Sequence, residues 1–180
     1  INRDDVRMTP NTFEAYAVNG LHGGTDGEAE WRWGVGYFDK IKERNSDEFV
    51  SMSEDAGADV DRGVYAFGGN YKKGYFSLGA VNYYSDDIIN IFYTEARYAV
   101  PLSEKTRLQF AAQYTDQQST GDDLLNGSDF SADQYGLKGE LGWGPALFSL
   151  AWTSTGNETA TQSPWSGYPG YTSVQVEDFN

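Results

Sequence analysis

Lys40, Lys42 and Arg44 stand at alternate positions of the chain, with Arg32 further upstream. In an extended strand this spacing puts the cations on one face, about 6–7 Å apart. Such a row can hand a carboxylate from one site to the next, since passage needs binding firm enough to enter and weak enough to leave. Arginine grips a carboxylate through two parallel hydrogen bonds, whereas lysine acts as a point charge. The intervening positions Trp31, Trp33, Val35, Tyr37 and Ile41 are apolar or aromatic, and Gly34, Gly36 and Phe38 complete the cationic face. A soluble sheet turns its apolar face to a core and its mixed charges to water. An aromatic wall backed by cations suits a barrel with lipid outside and water inside. The competing role for these cations is pairing with Glu43, Glu48, Glu95 or Glu140. Arg97, Arg107 and Lys138 fall on polar faces of later segments; Arg107 is the best placed, and the other two are expected to pair with nearby carboxylates.

The elements that must carry these residues are strands. Alternation predicts them over residues 12–22, 29–42, 62–71, 75–84, 90–100, 106–116, 133–143 and 146–154. Residues 106–116 are the clearest: Leu108, Phe110, Ala112 and Tyr114 oppose Arg107, Gln109, Gln113 and Thr115. Each segment is near the ~9–11 residues a tilted strand needs to cross a bilayer. Short links at 23–28, 72–74, 101–105 and 144–145 alternate with long ones at 43–61, 117–132 and beyond 155, with 85–89 as the exception. Segregation of loop length by rim is the habit of outer-membrane barrels. Tyr37, Tyr75, Tyr98, Trp143 and Trp152 lie where interfacial girdles would form.

Composition agrees. Aromatic residues reach 16% of the 180 residues, with 21 Gly, while hydrophobic residues total only 39%. No apolar run approaches the ~20 residues of a spanning helix, but barrel strands conceal their hydrophobicity in alternation. The formal net charge of -14 argues against a nucleic-acid partner. Without cysteine there are neither disulfides nor thiolate metal sites. The single histidine, His22, has no catalytic partner, and no nucleophile is set beside a base, so no enzyme is expected. Asp55, Asp59, Asp61, Asp122 and Asp123 lack the spacing of a calcium loop, and neither a metal nor a cofactor is expected. Both ends read as cut within a longer barrel, at Ile1-Asn2-Arg3-Asp4 and after Val174-Gln175-Val176.

Several long words of the chain carry a family resemblance. They are Arg7-Met8-Thr9-Pro10-Asn11-Thr12-Phe13-Glu14-Ala15-Tyr16, Tyr37-Phe38-Asp39-Lys40-Ile41-Lys42-Glu43-Arg44-Asn45-Ser46-Asp47-Glu48-Phe49 with Met52-Ser53-Glu54, Gly121-Asp122-Asp123-Leu124-Leu125, and Ser163-Pro164-Trp165-Ser166-Gly167-Tyr168-Pro169-Gly170-Tyr171. In this order they resemble the OprD-type substrate-specific porins of Gram-negative outer membranes. The resemblance implies an all-β, antiparallel transmembrane barrel, eighteen-stranded in the family, of which this chain supplies the middle part of a single domain. It also implies passive uptake of small carboxylate-bearing solutes, amino acids or aromatic and aliphatic acids, past a basic ladder and inward-folded loops. Arg32, Lys40, Lys42, Arg44 and Arg107 are the ladder candidates. The segment carrying Ser163, Ser166, Tyr168 and Tyr171 looks like a constriction loop, stiffened by two prolines and rich in hydroxyl donors. Arg3 and Arg7 sit in a loop that either reaches the pore or is solvated. Outer-membrane lipid and lipopolysaccharide are the implied surroundings, with oligomerisation left open. The competing reading is a soluble β-sandwich or small barrel that binds a ligand or carbohydrate through a Tyr/Trp-rich surface, which would bury the Trp31/Trp33 and Leu108/Phe110 rows.

Overall fold

The computed structural model describes residues 11–25, 28–156, 159–165 and 170–172. They form an antiparallel meander of β1 (Thr12–Gly23), β2 (Glu30–Lys42), the two-residue β3 (Val50–Ser51), helix α1 (Met52–Asp55), β4 (Val64–Lys73), β5 (Phe76–Ser85), β6 (Ile89–Ser103), β7 (Thr106–Gln118), β8 (Ser131–Trp143) and β9 (Ala146–Thr155). Each long strand pairs with the next in one nine-stranded sheet, open at β1 and β9, with β3 added onto β2. The hairpins β4–β5 and β8–β9 turn tightly because Gly74 and Gly144 adopt φ of +55° and +54°, a region that disfavours side chains.

Residues paired across strands share a face, so the register sorts the side chains. One face carries Val18, Trp33, Val35, Phe67, Tyr98, Phe110, Leu137, Leu150 and Trp152, all exposed. Trp31, Trp33 and Phe110 are 53%, 50% and 52% exposed, so the sheet does not close over them as a sandwich core would. Near the long-loop rim this outer face holds a row of paired tyrosines, Tyr16, Tyr37, Tyr65 and Tyr84. Trp31 stacks on Tyr71 toward the short-turn rim, with ring centroids 4.5 Å apart. Aromatic side chains thus occur toward both rims of an exposed, largely apolar face, as on a bilayer-spanning wall.

The loops fold onto the other, inner face. Trp165 Nε1 donates to the Met52 carbonyl at 2.7 Å, and the Gln117 side chain exchanges two hydrogen bonds with the Gln162 backbone at 2.7 and 2.8 Å. Ile41, Met52, Ala58, Val64, Ile88, Ile89, Phe130 and Trp165 pack into a dry cluster at the long-loop end of this face. Helix α1 is short but doubly capped: the Ser51 hydroxyl accepts from the Glu54 N–H, and the Glu54 carboxylate accepts from the Ser51 N–H. Arg62 from the same loop pairs with Asp87 in the β5–β6 turn at 2.9 Å, and the Asp87 carboxylate also accepts the Asp122 N–H. These contacts tie three long-rim connections together.

One face assignment is reversed by the structure. Tyr16 pairs with Tyr37 and Ala15 with Phe38, but Glu14 pairs with Lys40, leaving Asp39 as an extra residue in β2. An extra residue inverts the parity of everything beyond it. Ile41 therefore enters the inner cluster, only 1% exposed, beside Phe13 and Phe38. Lys40 and Lys42 turn to the outer face, opposite Glu14 and Thr12. The uninterrupted alternation from Trp31 to Arg44 does not hold.

Candidate functional site

The inner face changes character toward the short-turn rim. One cross-strand row there runs Glu30, Lys72, Ser77, Arg97, Ala111, Lys138 and Ala151. Its cations come from β4, β6 and β8, alternate strands, so neighbours in the row lie about 10 Å apart. The positive groups thus run across the sheet rather than along one strand. Arg32 occupies the adjoining row with Glu95, and Arg107 lies further along β7 than Ala111 toward the short-turn rim. Lys72, Ser77, Arg97, Arg107 and Gln109 line a depression of about 380 Å³ in which, among the described residues, no carboxylate takes part.

Each inner-face cation whose partner is known is held by an acceptor two residues along its own strand, the spacing that returns a side chain to the same face. Arg32 Nε meets Glu30 at 2.7 Å, Arg97 pairs with Glu95, Lys138 meets Glu140 at 2.8 Å, and Arg107 donates to Gln109 at 3.0 Å. Glu140 also accepts from Gln109 at 3.1 Å and from Ser149 at 3.2 Å, while Tyr93 donates to Glu95 at 3.0 Å. The stems are thereby held along the wall. The Arg32 and Arg97 side chains are nevertheless 66% and 56% exposed, leaving donors directed at water. Pairing that occupies part of each guanidinium weakens the grip on a passing anion without abolishing it.

The segment after β9 meets this wall. Tyr171 places its ring 6.0 Å from Lys138 Nζ. Burial raises the pKa of its hydroxyl, with the Glu95 carboxylate adding to the effect, so it remains neutral. Among the described residues, Thr115 Oγ1, Gln134 Oε1 and Thr153 Oγ1 are buried without a protein partner, and Gly170 lies against Gln134 and Thr153. Polar atoms in such a seam are ones that water or a solute's polar groups would serve.

Of the ladder candidates, Arg32 and Arg107 lie on the inner face, and Lys40 and Lys42 do not. The Arg44 backbone N–H bonds Asn11 Oδ1 at 3.0 Å, fixing the chain beyond the end of β2. Of the constriction-loop candidates, Tyr171 joins the basic wall and Ser163 adjoins the buried Trp165, whereas Ser166 and Tyr168 lie outside the described residues, as do Arg3 and Arg7. Lys72 escaped the sequence reading because Lys72-Lys73-Gly74 reads as a turn; β4 in fact continues through Lys73. Counting alternate positions forward from Val64 would have placed it inside.

No family model matches the chain, and no curated protein does. Solved structures do match. Pseudomonas aeruginosa OpdK, solved with vanillate, superposes with a TM-score of 0.73 over 89% of this chain at 19% identity. The fold is that of an outer-membrane porin wall. Pseudomonas aeruginosa OpdL (TM-score 0.69, 20% identity, 92% of this chain) and Acinetobacter baumannii OccAB2 (TM-score 0.70, 18% identity, 87% of this chain) match it as well. These neighbours are the OprD-type porins of Gram-negative outer membranes that the sequence resembles. The chain spans 42% of OpdK, 45% of OpdL and 39% of OccAB2.

Proposed function

We propose that this chain is a sector of an outer-membrane channel for passive, selective uptake of small carboxylate-bearing solutes, with Lys72, Arg97, Lys138 and Arg107 guiding the carboxylate. The observation that carries the reading is the transverse cationic row on the face opposite the aromatic one. In a barrel the strands tilt by about 35–45°, so a row perpendicular to the strands climbs obliquely around the lumen. A carboxylate can then change partners in steps of about 10 Å, each site only partly neutralised by its acceptor on the same strand. Arg32 extends the positive surface on the β1 side, and Tyr171 supplies a neutral hydroxyl group opposite Lys138.

Two neighbours support the solute class. OpdK was solved with vanillate and Pseudomonas aeruginosa OccK2 with glucuronate; the latter superposes with a TM-score of 0.68 at 16% identity. Both ligands join one carboxylate to at least one hydroxyl group, which matches a basic row flanked by Tyr and Thr hydroxyls. The chemistry is positional and non-covalent, so no catalytic step is assigned. The test is the reversal potential of the intact barrel in a planar bilayer under a salt gradient. Anion preference is expected, reduced severalfold in Arg97→Gln/Lys138→Gln/Arg107→Gln and less so at high salt, where screening weakens exposed charges. Unchanged selectivity in that variant would reject the assignment.

A further inference from the structure

The bulge that removes Lys40 and Lys42 from the lumen gives them another place. From the register we infer that they form a binding site for the phosphate of an anionic lipid headgroup at the long-loop rim of the outer face. The site rests on the reading of this sheet as a membrane-spanning wall.

Three observations support it. First, Lys40 and Lys42 lie beyond the outer tyrosine row on the same face, because Glu14, paired with Lys40, follows Tyr16 at the same parity of β1. Lys40 is about 7–10 Å further along the strand than Tyr37. Since tyrosines settle at the hydrocarbon boundary, the ammonium groups reach the headgroup layer. Second, Lys42 Nζ sits 5.5 Å from the centre of the Phe49 ring, and Phe49 is 46% exposed. An exposed aromatic beside a lysine presents an apolar surface to acyl chains and a cation to the phosphate above them. Third, the charges near the lysines leave Lys42 in the stronger position. Glu14 opposes Lys40, Glu54 acts on Lys40 from α1, and Asp39 already accepts the Tyr37 hydroxyl at 3.3 Å; Lys42 faces the neutral Thr12.

Charge complementarity selects the occupant. Lysine at a membrane surface is attracted to anionic lipid and indifferent to zwitterionic lipid. The test uses the intact barrel in nanodiscs of phosphatidylglycerol mixed with phosphatidylcholine, with retained lipids counted by native mass spectrometry. Wild type is expected to retain phosphatidylglycerol preferentially, Lys40→Gln/Lys42→Gln to lose that preference by about fivefold or more, and Lys42→Arg to keep it. Millimolar inorganic phosphate is expected to leave the preference intact; competition by it would mean an anion site rather than a lipid site and would overturn the proposal. Equal retention by wild type and the double variant would also overturn it. Conductance measured on the same samples keeps this outcome separate from the channel reading, since the variant is expected to conduct like wild type.

Discussion

The inner face of this sheet contains two environments on the same strands. At the long-loop end, Ile41, Val64, Ile89 and Phe130 pack against Met52 and Trp165 from the infolded loops, and water is excluded. At the short-turn end, Lys72, Arg97, Lys138 and Arg107 stand on an open wall, and the last three are held by acceptors along their own strands. The dry end fixes the loops, and under the proposed function the wet end would receive the solute. The comparison shows why loop residues and wall residues should fail differently: the first through packing, the second through charge.

Removing Asp39 attacks the boundary between the two ends and should have the largest effect. The deletion restores simple alternation, turning Ile41 outward and Lys40 and Lys42 into the dry cluster, where an uncompensated buried charge costs several kcal/mol. Loss of the heat-resistant folded band on electrophoresis, or rapid proteolysis within 43–63, is the expected outcome. Next comes Trp165→Ala, which removes a side chain only 5% exposed and leaves the Met52 carbonyl without its donor. A cost of about 3–5 kcal/mol is typical of such a truncation. Hydrogen exchange should show both infolded loops losing protection while β6–β8 keep theirs. Trp165→Phe, which deletes mainly the hydrogen bond, should cost about 1 kcal/mol.

Acid sensitivity sharpens the contrast further. Half-buried Asp55 has its carboxyl pushed up from 3.8 to about 6, by burial first and by Glu43 second. The fold favours its protonated form, so this stabilising contribution is complete below pH 3.8 and is lost as pH rises through about 6. Protection factors of the 43–63 loop should therefore fall across that window, and Asp55→Asn should flatten the profile. Glu54, held below its ordinary 4.5 chiefly by the Ser51 backbone hydrogen bond, acts oppositely: its contribution is present above that value and lost as pH falls through the lowered one. The smallest effect is expected at the outer tyrosines. Tyr84→Phe removes a 3.1 Å bond to Asp86 from an exposed pair, and its unfolding free energy should stay within about 0.5 kcal/mol of wild type.

Much of this architecture was legible because alternation is a strong signal where strands are regular. β7, with Leu108, Phe110 and Ala112 against Arg107, Gln109 and Gln113, begins at the predicted residue and ends two residues later. The same rule misled at β2, since Phe38-Asp39-Lys40 carries no mark of a bulge and Lys40, Ile41 and Lys42 past it take the opposite faces. The transverse row was also hidden. It depends on the register among β4, β6 and β8, and register is a property of pairing that no single segment displays. The capping box of Ser51 and Glu54 was written in the sequence and went unread, because four residues of helix make no periodic pattern.

Sidedness underlies everything above, and thiol accessibility tests it most directly. The chain contains no cysteine, so a single one introduced into it reports on one position. In the intact barrel, Lys138→Cys treated with a membrane-impermeant, negatively charged thiol reagent should react readily and lose anion current, while Phe110→Cys should resist that reagent and react only with an apolar, membrane-permeant one. Rapid modification of Phe110→Cys by the aqueous reagent, with Lys138→Cys protected, would contradict the account.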